Sequence, residues 1–366
     1  MLAEHVVYTQ SSMQPVMSTH MLAFICLTLC RKGAPFREIC QHYNWLKQQL
    51  AARNRDVGIS GKTETIVLHA QQCIGDHLLQ RIRMHTKDVN REEDLMITPN
   101  IHLQTVFELA HYSAPVTCMF AAESLIGEAH AIYAHVKPDA WFSPDEEIVV
   151  PKEVVIETAA QLCKLLKYEF IISPPCSTIN SALLDAFDQL INSDILVLKE
   201  EEDSNLATDQ KAWSRRFAAS LALDNSDEED DWQMPNTEYE LCGRSASRQR
   251  LNFLRAVTAP LLETYYVTVC NLNQLMEEDL TENDFTKKTH QHLKDRVLNG
   301  TASYAESAGL DGLRNAIRGL QHMKVLRRYV AANVSMLQLS PSYKDEISIK
   351  KFLRDVGMHL GVPLAQ

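Results

Sequence analysis

One histidine and one aspartate near the end of the chain have the spacing of an acid–base pair. His290 and Asp295 fit the pattern H-x-x-x-x-D, in which an imidazole removes a proton from an acceptor hydroxyl and a carboxylate orients the ring. On a helix, however, residues five positions apart point about 140° away from each other. The surrounding sequence is charged and rich in Lys, which favours a solvated helix face. We therefore assign no catalytic role to this pair.

The sequence lacks the residue spacing that three other kinds of site require. The tripeptide G-K-T at 61–63 resembles the end of a phosphate-binding loop, but Asp56 stands where that loop needs its first glycine. The stretch G-I-S-G at 58–61 is one residue short of the G-x-S-x-G of serine hydrolases. Fourteen His and nine Cys form neither H-E-x-x-H nor C-x-x-C, the spacings of common zinc sites. The sequence thus predicts no catalytic, substrate-binding or metal-ligating residue and no cofactor.

Two groups of basic residues have the charge to meet phosphates or anionic lipid. The first is Arg244, Arg248, Arg250 and Arg255, and the second is Lys324, Arg327 and Arg328. Basic groups are common on solvated faces, and the acidic run D-N-S-D-E-E-D-D at 224–231 gives them a charge to balance. We favour this balancing surface over a ligand site.

The overall composition is that of a soluble globular protein. Of 366 residues, 45% are hydrophobic, and 36 Lys and Arg stand against 47 Asp and Glu, for a net charge of −11. The apolar content excludes disorder over the whole length, and the acidic balance argues against a nucleic-acid binder. An odd number of Cys without C-x-x-C favours reduced thiols and a cytosol-facing protein.

The apolar stretches predict core helices and no membrane span. No signal peptide is expected at the N-terminus, because a basic segment followed by an apolar core is missing there. The most apolar window, residues 21–30, has ten residues, whereas a membrane span needs about 20.

Long helices are expected because Gly and Pro number only 12 and 13 in the whole chain. Apolar periodicity and capping residues predict helices at 15–32, 35–53, 63–74, 114–134, 151–167, 177–191, 248–272, 284–298, 309–323 and 347–360, with another beginning after Asn100. Short strands are predicted at 77–84, 95–98, 170–172, 195–198 and 334–339. The fold class is therefore mainly α with small β-hairpins (α+β).

The acidic stretch predicts a division of the chain. Residues 200–243 are expected to form a disordered linker between a helical region with small hairpins at 1–199 and a helical C-terminal region at 244–366. The strand–helix–strand grouping at 170–198 resembles the one at 63–111 in its topology, although the two share no repeated residues.

Five unusual strings point to a known family. They are D-V-G-I-S-G at 56–61, I-T-P at 97–99, F-E-L with Y-S at 107–113, Y-A-E-S-A at 304–308 and V-S-M-L-Q-L at 334–339. In this order they resemble the C-terminal region of the mitochondrial glycerol-3-phosphate 1-O-acyltransferases, over most of the chain. The acidic insertion is also typical of animal members.

The resemblance implies a part of an enzyme that lies outside its active site. Family members transfer a fatty acyl group from acyl-CoA to glycerol 3-phosphate, and an N-terminal domain carries H-x-x-x-x-D, G-x-x-F-x-R and F-P-E-G-x-R. Here no Pro is followed by Glu, and G-A-P-F-R at 33–37 only faintly echoes the middle motif. The chain is then expected to support or anchor its own N-terminal acyltransferase domain at the mitochondrial outer membrane, with peripheral lipid contact on the cytosolic side. Nucleic acid and metal are not expected as partners.

Two alternatives stay open. The chain can instead be a non-enzymatic helical interaction module that recruits a partner protein. It can also be a free-standing acyltransferase that uses His290 and Asp295. The sequence leaves undecided whether the chain is a fragment or a natural short product.

Overall fold

The computed structural model describes residues 2–83, 95–133, 149–199, 238–331, 333–345 and 347–352. Its helices are α1 Leu2–Met13, α2 Ser18–Thr28, α3 Phe36–Ala52, α4 Thr63–Ile74, α5 Thr105–Tyr133, α6 Lys152–Leu165, α7 Ile179–Asn192, α8 Ser245–Cys270, α9 Gln274–Glu277, α10 Glu282–Leu298 and α11 Leu310–His322. Its strands are β1 Ala34–Pro35, β2 Leu79–Arg83, β3 Leu95–Pro99, β4 Val149–Pro151, β5 Leu196–Leu198, β6 Glu238–Leu241, β7 Leu280–Thr281, β8 Leu326–Ala331 and β9 Val334–Leu339. The mainly α fold with small antiparallel sheets is confirmed.

The helices and strands follow one order three times along the chain. A short strand, two helices and two further strands occur as β1-α3-α4-β2-β3, then β4-α6-α7-β5-β6, then β7-α10-α11-β8-β9. In each sheet the last strand lies in the middle, giving the orders β1-β3-β2, β4-β6-β5 and β7-β9-β8, all antiparallel. We call these units the first, second and third repeats.

Matching hydrogen bonds identify equivalent positions in the three repeats. The residue after the third strand donates its backbone N–H to the residue before the second strand. The three N···O distances are 2.8 Å for Asn100 to Leu78, 2.9 Å for Cys242 to Ile195 and 2.9 Å for Ser340 to Val325. The second strand then begins with a buried leucine in every repeat, namely Leu79, Leu196 and Leu326.

The first helix of each repeat begins in the same way. Pro35, Pro151 and Thr281 are its N-caps, and the residue four positions later is buried each time. Those buried residues are Ile39, Val155 and Phe285. A cap followed by an apolar residue four positions on directs one face of the helix into the core. At this helix start the three repeats therefore share position and burial, and only the first two share the identity of the cap.

Helices α2, α5 and α8 each precede one of the three repeats and pack against one another. Phe24 of α2 stacks on Phe120 of α5 with ring centroids 5.6 Å apart, and Phe253 of α8 meets both rings edge-on. Aromatic contacts of this kind contribute about 0.5–1.5 kcal/mol each beyond burial. Residues 21–27 of α2 are all buried, so the most apolar window is a core helix as predicted.

Some predicted elements have other bounds. The helix expected after Asn100 and the one expected at 114–134 form one helix, α5, which continues through Pro115. Proline removes one backbone hydrogen bond, but apolar side chains are buried on both sides of it, among them Leu109 before it and Val116 after it. The helix predicted at 347–360 begins at 347, and most of it lies outside the described residues.

The prediction of a strand at 170–172 is wrong. These residues form a loop whose Phe170 and Ile172 are half-buried against the core. The sheet of the second repeat takes its third strand from β4 instead. Apolar residues alone therefore indicated burial here and not a strand.

The segment predicted as a linker lies within the second repeat. Its residues 238–241 form β6, which pairs with β4 and with β5. Residues 200–237 lie outside the described residues. One hydrophobic cluster includes both residues before this segment and residues of α8 after it, such as Leu251 and Leu254.

In the part of the chain that the structure describes, no helix is both long enough and apolar enough to cross a bilayer.

Candidate functional site

His290 and Asp295 lie on α10 and bind different partners. The Nε2 atom of His290 is 3.1 Å from the carbonyl oxygen of Ala308. The Asp295 carboxylate accepts a hydrogen bond from the Gln291 side chain at 2.8 Å. Burial lowers the pKa of His290, and the charge of Lys294 lowers it further. No hydrogen bond links the imidazole to the carboxylate, so this geometry does not assemble an acid–base pair.

A surface groove lies beside Asp295. It measures about 500 Å³ and is lined by Gln274, Glu278, Lys288, Gln291, His292 and Asp295. Two carboxylates, one ammonium group and one imidazole line it, so the groove presents no single sign of charge. It offers polar contacts to a small molecule but holds no nucleophile.

The tripeptide G-K-T at 61–63, which resembles the end of a phosphate-binding loop, lies at the start of a helix, as the sequence predicts. Lys62 is the N-cap of α4, and Gly61 has a φ of +129°, which a glycine tolerates. The Thr63 hydroxyl donates to the Asn44 side chain at 2.6 Å. The backbone here continues into α4 and is not arranged as a phosphate cradle.

The first group of basic residues is divided between the surface and the core. Its members are Arg244, Arg248, Arg250 and Arg255. Arg250 donates to the carbonyl oxygen of Ser193 at 2.9 Å, and Arg244 lies 3.5 Å from Asp194, so both hold the end of α7. Arg255 turns inward, and its guanidinium lies 3.2 Å from Glu128. These arginines therefore do not form one anion site.

A cluster of buried charges lies where helices α2, α5 and α8 meet the third repeat. We call it the buried charge cluster, and its members are Arg31, Glu128, Arg255, Glu263, Tyr304 and Glu306. Tyr304 and Glu306 belong to the string Y-A-E-S-A that the sequence singled out.

Tyr304 lies at the centre of the buried charge cluster. The Arg31 guanidinium lies 4.9 Å from the centre of its ring and forms a two-point ion pair with Glu306. The Glu263 carboxylate accepts the backbone N–H groups of Ser303 and Tyr304 at 2.9 and 3.0 Å. The cluster thus fixes the loop before α11 against α8 and the end of α2.

Burial and nearby opposite charges together determine the pKa values in the buried charge cluster. Burial raises the pKa of Glu128, and the nearby Arg255 offsets part of that rise. Burial alone would lower the pKa of Arg31, but the hydrogen bond and charge of Glu306 raise it. Burial also raises the pKa of the neighbouring Cys30 thiol to about 12, which keeps it protonated and unreactive. The cluster therefore holds paired charges and no activated nucleophile.

A buried histidine lies beside this cluster. His130 has no exposed surface, and burial together with the charge of Arg255 lowers its pKa to about 4. It is therefore neutral at physiological pH.

Helix α1 presents apolar side chains on its surface. None of its residues is buried, and Leu2, Val6 and Met13 are 80%, 58% and 75% exposed. At about 100° per residue these three side chains lie within about 40° of one another around the helix. We call them the α1 stripe.

The sequence analysis missed both the buried charge cluster and the α1 stripe. A charged residue inside an apolar stretch is the signal for the first, as Glu128 is between Leu125 and Ala131. For the second the signal is the spacing of Leu2, Val6 and Met13, which fits one side of a helix. The pairing of Arg31 with Glu306, 275 positions apart, has no local signal.

Comparisons with known proteins identify a family. The family model described as "Glycerol-3-phosphate acyltransferase C-terminal region" matches residues 1–329. The chain is 29% identical over 360 residues to "Glycerol-3-phosphate acyltransferase 1, mitochondrial" of Sus scrofa, and 29% identical over 362 residues to the Homo sapiens protein of that name. Each match covers 96% of this chain and 42% of the relative.

A second relative matches less closely. "Glycerol-3-phosphate acyltransferase 2, mitochondrial" of Homo sapiens is 24% identical over 265 residues, which is 70% of this chain and 32% of that protein. The chain thus spans less than half the length of these curated relatives. The chain belongs to the glycerol-3-phosphate acyltransferase family and corresponds to its C-terminal region.

Proposed function

We propose that the chain supports the catalytic domain of an acyl-CoA:glycerol-3-phosphate 1-O-acyltransferase. In that reaction a fatty acyl group passes from acyl-CoA to the 1-hydroxyl of glycerol 3-phosphate, the first step of phospholipid and triacylglycerol synthesis. Family membership supports the reaction class. The separate partners of His290 and Asp295 support the assignment of the chemistry to another part of the longer protein.

The α1 stripe carries the proposed supporting role. Leu2, Val6 and Met13 share one side of a helix that buries none of its residues. Aligned apolar side chains on a helix normally face a packed neighbour. The neighbour we propose is the N-terminal acyltransferase domain of the same protein, because the matches cover only 32–42% of the relatives and leave room for one.

We further propose a location at the mitochondrial outer membrane, on its cytosolic side, with peripheral contact to lipid. The word "mitochondrial" in the names of the relatives supports the organelle. Neither nucleic acid nor a metal ion has a role in this proposal.

The α1 stripe can be tested by light scattering and binding of a hydrophobic dye. The 366-residue chain is expected to self-associate or bind detergent through it. Replacement of Leu2, Val6 and Met13 by Ser should reduce both effects. A control with Ser at three other exposed apolar residues, Ile82, Leu298 and Val330, should not. A monomer of the unaltered chain that binds no dye contradicts the proposal.

The mass of the native polypeptide separates this proposal from a non-enzymatic interaction module. We would precipitate it with an antibody to residues 284–299 and map its peptides. A polypeptide well above 41.5 kDa with H-x-x-x-x-D and F-P-E-G-x-R peptides is expected. A polypeptide of 41.5 kDa would favour the interaction module.

An acyl-transfer assay tests the third possibility. We expect no transfer from labelled acyl-CoA to glycerol 3-phosphate by the 366-residue chain. Activity that disappears in His290→Ala would instead identify a free-standing enzyme.

A further inference from the structure

The third repeat differs in charge from the other two at equivalent positions. Residues 310–331, from α11 through β8, contain five Lys or Arg and one acidic residue. The equivalent residues 63–83 of the first repeat contain two of each sign, and residues 179–198 of the second contain three acidic residues and no basic one. Because the three segments share one topology, the fold itself does not require the positive charge.

The basic side chains of this segment are exposed and close together in the chain. Arg314, Arg318 and His322 are four residues apart on α11 and so follow one side of the helix. Lys324 follows in the turn, and Arg327 lies on β8. We call these five residues the basic face.

Most of this charge is not neutralised by neighbours. Arg314 lies 3.6 Å from Asp311, a carboxylate that is itself almost fully exposed. Among the described residues, no carboxylate forms an ion pair with Arg318, Lys324 or Arg327. His322 faces a further basic residue, because its Nε2 atom lies 2.9 Å from the Lys167 ammonium.

Strand β8 forms an edge of its sheet beside the basic face. It pairs with β9 over six residues, and it is the outer strand in the order β7-β9-β8. The equivalent strand of the second repeat has three residues. On an outer strand, alternate backbone N–H and C=O groups point away from the sheet, where they can pair with an added strand.

Of the two arginines on β8, Arg328 lies 3.3 Å from the Glu282 carboxylate, whereas Arg327 has a selective effect on this edge. Charged residues on an edge strand normally prevent pairing with other strands. Arg327 therefore disfavours apolar and basic strands, whereas it attracts an acidic one. Selection of this kind combines attraction to one partner with repulsion of others.

We propose that the basic face and the outer edge of β8 bind an extended acidic segment of a partner protein. Backbone hydrogen bonds to β8 hold the segment, and its carboxylates meet Arg318, Lys324 and Arg327. This proposal does not depend on the acyl-transfer reaction.

The first test measures binding of a labelled peptide of alternating Glu and Thr to the 366-residue chain by fluorescence polarisation. Binding should weaken as salt is added, because the pairs are exposed. The triple variant Arg318→Gln, Lys324→Gln, Arg327→Gln should bind at least about tenfold more weakly, a loss within reach of three exposed charge pairs.

The control variant removes three positive charges from another part of the chain. Arg37→Gln, Lys47→Gln and Lys62→Gln alter three exposed basic residues of the first repeat. This variant should bind within about twofold of the unaltered chain, and both variants should keep its melting temperature, since surface substitutions change stability little. An equal loss in both variants would mean that only net charge acts, and it would overturn the proposal.

Three further probes test the kind of partner. A peptide methylated on alternate backbone nitrogens should lose binding, because it cannot pair with β8 along its full length. Equal binding of that peptide overturns the edge-strand geometry. Vesicles containing phosphatidylserine, or a single-stranded RNA, should bind more weakly than the peptide. Tighter binding of either through the same three residues would overturn the acidic-peptide partner.

Discussion

At the scale of single residues, the buried charge cluster shows why charges can lie inside this apolar core. Arg31, Arg255 and their carboxylate partners form close pairs, and each pair joins parts of the chain that are distant in sequence. Removal of one partner from a buried pair costs about 3–5 kcal/mol, because the other charge is left without compensation. Such pairs therefore specify which elements meet.

His130 should make stability depend on pH. Its pKa is about 4 in the folded chain, against 6.5 for an unburied histidine. Between these values the unfolded chain binds more protons, so the free energy of unfolding falls as pH falls. We expect a loss of about 2 kcal/mol from this residue between pH 7 and pH 5. Urea unfolding at a series of pH values measures it.

Substitution isolates the contribution of His130 from those of other groups. His130→Gln should flatten the pH dependence by that amount, whatever its own cost in stability. His69→Gln, at an exposed position of α4, should leave the slope unchanged. Parallel curves for the unaltered chain and His130→Gln would show that this histidine does not titrate on unfolding.

At the scale of elements, two glycines of α11 should respond differently to the same substitution. A Cβ on Gly312 would lie 3.6 Å from Leu261, an ordinary contact, whereas a Cβ on Gly319 would lie 3.2 Å from the carbonyl oxygen of Leu165. Alanine favours a helix over glycine by about 1 kcal/mol. Gly312→Ala should therefore be stabilising, and Gly319→Ala should be at least about 1 kcal/mol less stable than Gly312→Ala. Thermal unfolding measures both, and equal gains would contradict the close packing of α11 on the end of α6.

Helices with strong periodicity could be predicted from the sequence, and so could strands β2, β3, β5 and β9, whereas the first strand of each sheet could not. Helices α3, α4 and α10 follow apolar spacing closely, so their bounds were predicted within a few residues. Strands β1, β4 and β7 have two or three residues each, and the first two end in a proline, so they lack the apolar run that indicated the three-residue β5. Strand β8 escaped notice because Arg327 and Arg328 make it polar, although its first residue is buried.

At the scale of the whole molecule, the three repeats put the acidic stretch between two strands of one sheet, which the composition alone does not reveal. A long acidic stretch between helical regions suggested a division into two parts. In the structure that stretch lies between β5 and β6, at the hairpin of the second repeat, where the first repeat has residues 84–94 between β2 and β3. The pairing of β5 with β6 is a long-range contact, and no local pattern in the sequence predicts it.

Cleavage of the chain within the acidic stretch should leave the two fragments together. With a protease site inserted after residue 215, both fragments should elute at the position of the intact 41.5 kDa chain and separate only in denaturant. Two contacts across the cut support this: β6 pairs with β4 and β5, and Phe253 packs against Phe24 and Phe120. Phe253→Ala should weaken the association, because it removes about 3–5 kcal/mol of core packing. Separation of the fragments without denaturant would instead favour two independent domains joined by a linker.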